Sequence, residues 1–170
     1  MRLLAEERKT GTIELLLTKA LTDRQVVAGK FLAAFLLIAI ALLFTLPYPL
    51  TLALIGKPDY GQIFCGYAGL LLMSAAYIGI GLYASSVTAN QIVAFLMALF
   101  MSLFFHLIFG VLSGQFSGVT GQLIDYCSLT SHFESMARGV IDSTDLVYFL
   151  SIVLAGLLLA GFSLSKRNLD

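Results

Sequence analysis

FLAAFLLIAIALLFTLPYPLTLALI, running from Phe31 to Ile55, carries no charged residue. A helix rises about 1.5 Å per residue and the hydrocarbon layer of a bilayer is about 30 Å deep, so roughly 20 apolar residues cross it. This stretch is long enough, and its reading decides the class of the whole chain. Pro47 and Pro49 lack the N–H that a helical ladder needs and are expected to kink or loosen its last turns. The turn-like Gly56-Lys57-Pro58-Asp59 then ends it.

Three further windows repeat the pattern: Gln62–Ala84, Gln91–Leu112 and Val147–Ser165, the last stopped by Lys166-Arg167. The expected architecture is therefore all-α and polytopic, with transmembrane helices over 31–55, 62–84, 91–112 and 147–165. Composition agrees: 59% of the 170 residues are hydrophobic and only 12% charged, with a mean hydropathy of +0.94, well outside soluble usage. Ten basic and ten acidic residues cancel, so no overall field attracts nucleic acid. Cys65 and Cys127 form neither a disulfide framework nor a C-x-x-C pair. A cleaved secretory signal is not expected, because the apolar run begins only at Phe31 and continues for a full span.

Basic residues accumulate on the cytoplasmic side of short loops. Four spans put both ends on one side, and that side holds Arg2, Arg8, Lys9, Lys19, Arg24, Lys30, Lys166 and Arg167, against Lys57 and Arg138 on the other. Both termini are expected to be cytoplasmic. The segment 113–146 then faces outward and is too long for a simple turn. Within it, Gln122–Leu129 and Ser131–Val140 read as short interfacial or re-entrant helices, the second opening on Ser131 and Glu134 in capping-box spacing.

The residues ahead of the first span have a pattern of their own. Ile13, Leu16, Leu17, Ala20 and Leu21 share one helical face, with Glu14, Thr18 and Lys19 off it. Such an element is too short to span and would lie in the membrane plane or against protein. Gly11 separates it from a charged stretch before it, and Thr22-Asp23-Arg24-Gln25 forms a capping box that starts the spanning helix. Periodicity alone is equally served by a membrane-surface anchor.

Here the residues themselves resemble a known family. AEERKTGTIELLLTKALTDRQVVAGKFLAA, Ala5 to Ala34, resembles the cytoplasmic coupling-helix segment of ABC-2 type transporter permeases, in the branch of gliding-motility and copper-enzyme-maturation permeases. The likeness continues through Gly66–Phe95 and Ser128–Ser151. It implies the membrane subunit of an ABC exporter in a bacterial inner membrane, paired with a second permease copy or a homologous permease. ATP and Mg would sit on a separate P-loop ABC ATPase, with no cofactor held by this chain. The segment 5–22 would dock on that ATPase, with Glu6, Glu7, Arg8, Gly11, Thr12 and Glu14 at the motif positions. Permeases of this type have six spans, and this sequence opens where the second should be ending, so the first two are expected to be absent. The alternative is a membrane anchor or assembly factor that transports nothing, or a truncated remnant. The substrate is not legible in the sequence.

Other chemistry is weighed against that frame. A P-loop needs G-x-x-x-x-G-K-[ST], and Gly29-Lys30 and Gly56-Lys57 lack its upstream glycine and its hydroxyl, so the chain reads as a transport subunit rather than an enzyme. His106, inside the third span, invites a proton-relay reading, but no carboxylate lies within the expected spans to pair with it. Ser113 with His106 would make a poor protease dyad because both sit on one helix end. Cys127, His132 and Glu134 could be drawn as a metal site, yet Glu134 is better explained as the capping partner of Ser131 and His132 as an interfacial residue; no metal is assigned. Gly66, Gly69, Ser74, Gly79, Gly81, Gly156 and Gly161 read as helix-packing positions.

Overall fold

A computed structural model of the chain describes residues 22–116 and 118–167. Among these residues all regular structure is helical. In chain order the elements are α1 (Asp23–Leu43), α2 (Pro47–Ile55), α3 (Tyr60–Val87) and α4 (Gln91–Leu103), then a wide π turn (Phe104–Ile108) that leads into α5 (Phe109–Gln115). The short helices α6 (Val119–Asp125) and α7 (Leu129–Ala137) precede the last, α8 (Ser143–Arg167).

Among the described residues four stretches are long and apolar enough to cross a membrane: Arg24–Ile55, Tyr60–Val87, Gln91–Gln115 and Ser143–Ser165. They cover the four expected spans and extend them by helical turns that also carry polar residues. Each span opens on a polar cap that satisfies backbone N–H groups no helical carbonyl can reach. Thr22 and Gln25 bond reciprocally before α1. Asp59 Oδ1 accepts from the Gly61 and Gln62 amides before α3, Asn90 Oδ1 from Ile92 before α4, and Asp142 Oδ1 from Thr144 before α8.

The first span is not one helix. It breaks after Leu43 and restarts at Pro47, which occupies the first turn of α2, where its missing N–H costs nothing. Thr45 in the break donates to the Leu42 carbonyl at 2.6 Å and shares a hydrogen bond with the Tyr67 hydroxyl at 2.8 Å. The expected loosening by proline takes the form of tighter i→i−3 turns, Thr45 to Leu42 and Leu46 to Leu43, with a side-chain clasp.

The two short helices of 113–146 differ from expectation in their ends. The first runs over Val119–Asp125 rather than Gln122–Leu129, opening after Gly118 at φ 84°. The second starts at Leu129, not Ser131, and stops at Ala137 because Gly139 takes φ 90° and its amide bonds the Met136 carbonyl, a left-handed termination that suits glycine. Ser131 lies inside this helix and does not cap it; its hydroxyl donates to Asp125 at 2.6 Å.

The residues gather into two compact units. One takes the described residues of Met1–Ala34 with Ala76–Ser102 and Ser151–Asp170; the other takes Phe35–Ala75 and Leu103–Leu150. In the first, alanines are prominent among the buried positions: Ala76, Ala84, Ala94, Ala98 and Ala160 are sealed from solvent, beside the larger Leu82. Lipid offers no hydrophobic drive between helices, so close backbone approach is what the alanines supply. In the second, Phe149, Leu129 and Met136 form a sealed centre. Large apolar side chains such as Leu54, Ile55 and Phe64 stay exposed, as lipid-facing positions do.

Candidate functional site

The docking residues expected from the resemblance, Glu6, Glu7, Arg8, Gly11, Thr12 and Glu14, lie outside the described residues, as does the amphipathic face Ile13–Leu21. What is described is the joint that follows them. The Thr22 amide donates to Gln25 Oε1 at 3.0 Å, and the Gln25 amide returns to Thr22 Oγ1 at 3.4 Å. This reciprocal cap fixes where α1 begins and leaves no slack in the backbone between Thr22 and the span.

The glycines of the spans occupy different surroundings. A Cβ on Gly156 would stand 2.6 Å from the Gly79 carbonyl carbon, and one on Gly79 would meet the Val153 backbone at 3.4 Å. α3 and α8 therefore touch backbone to backbone in the first unit, and Ser163 adds a hydrogen bond to the Ser86 carbonyl at 3.0 Å. In the second unit Gly69 faces Met136 Cβ at 3.2 Å and the Phe133 ring at 3.3 Å. Gly81 is buried. A Cβ on Gly66 or Gly161 would meet nothing within 4 Å.

The most elaborate polar arrangement lies in the second unit, between α7 and the head of α8. His132 Nδ1 is 2.6 Å from Asp145 Oδ1, and both side chains are 7% exposed. His132 Nε2 is 3.0 Å from the Tyr126 carbonyl. A carbonyl oxygen can only accept, so Nε2 donates to it and Nδ1 is the nitrogen engaged with the carboxylate. The imidazole stacks on Tyr148 at 4.0 Å between centroids, with Tyr126 edge-on at 5.3 Å. Tyr148 in turn donates its hydroxyl to the Cys127 carbonyl. Asp145 Oδ2 and Ser128 Oγ are buried without a hydrogen-bond partner. The pair ties α7 to α8 and leaves His132 no lone pair for a metal.

Neighbouring groups complete this face. Asp125 Oδ1 accepts from both Ser113 and Ser131, at 3.1 and 2.6 Å. Asp142 caps α8, and the Thr144 amide and hydroxyl, with help from Ser143 and the nearby His132, hold its carboxyl below the usual range. Cys127 and Glu134 are exposed, and no group of three or more metal-ligating side chains occurs among the described residues. His106 sits in the wide π turn, where Thr130 Oγ1 donates to its carbonyl at 2.6 Å and lies 3.3 Å from Nδ1. The histidine that meets a carboxylate is thus His132, read from sequence as interfacial. The carboxylate is Asp145, which the sequence reading left outside the last span and which the structure places in the first turn of α8. Thirteen residues separate the two, and no local pattern joins them.

Among the described residues, four membrane-length helical stretches and a seam of closely packed glycines define a polytopic helical membrane protein. A family model described as ABC-2 family transporter protein matches residues 1–167. The chain belongs to that family: it is a permease, the membrane subunit of an ABC transporter, a role that implies an ABC ATPase as working partner. No curated protein matches the sequence.

Proposed function

We propose that this permease is the pathway-forming subunit of an exporter in a bacterial inner membrane, with both termini cytoplasmic and 113–146 outward. The family match across residues 1–167 carries the reading, because it takes in the E-E-R-x-x-G-T-x-E-L-L-L run of Glu6–Leu17 that resembles the coupling helix of the gliding-motility and copper-enzyme-maturation branch. In this reading Glu6, Glu7, Arg8, Gly11, Thr12 and Glu14 dock on a separate ATPase, which holds the ATP and Mg. A second permease, identical or homologous, completes the pathway. Closure of the ATPase dimer pushes on 5–22, the Thr22–Gln25 cap hands the displacement to α1 without slack, and inward-open and outward-open populations shift.

The test is co-purification in mild detergent with the ABC ATPase encoded nearest to the chain, comparing the intact sequence with a variant in which Glu6, Glu7 and Arg8 are charge-reversed. Association lost on reversal is the expected result. Association that survives reversal, with substrate-stimulated ATPase activity unchanged, would remove these residues from the dock. No association in either form would leave a membrane protein without its motor.

A further inference from the structure

At the end of the first unit where α1 begins and α8 finishes, the two helices enclose a cavity of about 610 Å³. That is the size of a ligand pocket rather than a packing defect. Its lining is graded. Thr22, which caps α1, Arg24 in its first turn and Ser165 from α8 stand at one end; Val27, Leu157 and Leu158 stand deeper. The eight residues between Leu157 and Ser165 amount to about 12 Å of helix. Leu158 and Phe162 are 53% and 64% exposed, so the cavity has an open side. A Cβ on Gly161, in the wall, would meet nothing within 4 Å.

The lining from Arg24 inward belongs to two membrane-length stretches, Arg24–Ile55 and Ser143–Ser165, so the open side faces the bilayer. Among the described lining residues Arg24 alone is charged, and Lys166 and Arg167 follow Ser165 in the sequence. The two helix ends bring opposite dipole ends to this mouth, which offset one another, leaving Arg24 as the charge that the described lining presents. Thr22 Oγ1 accepts from the Gln25 amide and keeps its own hydroxyl hydrogen to donate.

We propose that this cavity seats an anionic phospholipid. One acyl chain lies along Leu157, Leu158 and Phe162, and the phosphate meets the Arg24 guanidinium and the Thr22 hydroxyl at the membrane boundary. The occupant is a lipid because the gradient from cation to hydrocarbon runs along the bilayer normal and one wall opens sideways. It is an anionic lipid because a zwitterionic headgroup would bring its ammonium toward the arginine.

The test takes the purified chain from nanodiscs of phosphatidylcholine with a minor share of phosphatidylglycerol and counts retained lipids by native mass spectrometry. Preferential retention of phosphatidylglycerol is expected. Arg24→Gln, at an exposed position where folding is not at stake, lowers that retention about tenfold, as loss of a charge-assisted hydrogen bond does, while Arg24→Lys keeps most of the preference. Gly161→Leu fills the cavity and removes retention of both lipids. Equal retention of the two lipids by the unmodified chain would overturn the proposal. So would phosphatidylglycerol retention that survives both Arg24→Gln and Gly161→Leu.

Discussion

The buried contact between His132 and Asp145 is the most consequential side-chain interaction among the described residues. Removing one partner of a buried pair strands the other and costs roughly 3–5 kcal/mol, whereas replacing both by apolar groups of similar size is often neutral. His132→Ala and Asp145→Ala should therefore each lower the melting temperature in detergent strongly, while His132→Phe combined with Asp145→Leu recovers most of the loss. Additive losses in a double-mutant cycle would show that the two act independently. The sequence did not disclose this pair because the apolar window begins at Val147, past the Ser143-Thr144-Asp145 turn, and leaves Asp145 in a loop. The first turn of a spanning helix is where polar residues are tolerated, so the window cut off the turn that mattered. The same limit explains Ser131 and Glu134: their spacing satisfies a local rule, but Asp125, six residues back, competes for the serine hydroxyl and wins it.

At the scale of elements, the α3–α8 seam shows how packing without a hydrophobic drive is built. A methyl group on Gly156 would collide with the Gly79 backbone, which no side-chain rotation can relieve. Gly156→Ala is expected to destabilise the fold by about 1–3 kcal/mol, the usual cost of overpacking, in unfolding from mild detergent into sodium dodecyl sulfate. Gly66→Ala, facing open space, should change stability little. Sequence reading marked all these glycines alike, because composition carries no partner. It did find the four spans and the Thr22–Gln25 cap, both of which are written in residues adjacent along the chain. The break before Pro47 was legible as well, since proline acts on its own backbone; the Tyr67 hydroxyl that clasps it was not.

At the scale of the molecule, the proposed orientation rests on eight basic residues of the ten on one side. The two cysteines offer a direct check, since Cys127 is exposed while Cys65 is 7% exposed and its thiol lies 3.6 Å from the Gly139 carbonyl. A membrane-impermeant maleimide added to intact spheroplasts should label Cys127 and spare Cys65. Labelling of Cys127 only after the membrane is opened would invert the topology. The third span carries a last consequence. Its wide turn closes with the Phe109 amide on the Phe104 carbonyl, one residue more than an α turn holds. An added residue advances everything beyond it by about 100° around the axis. The stripe that runs up Gln91–Leu103 is therefore out of phase with Phe109–Gln115, whose Ser113 reaches Asp125. An alignment that treats the span as one uninterrupted periodic helix assigns those last residues to the wrong face.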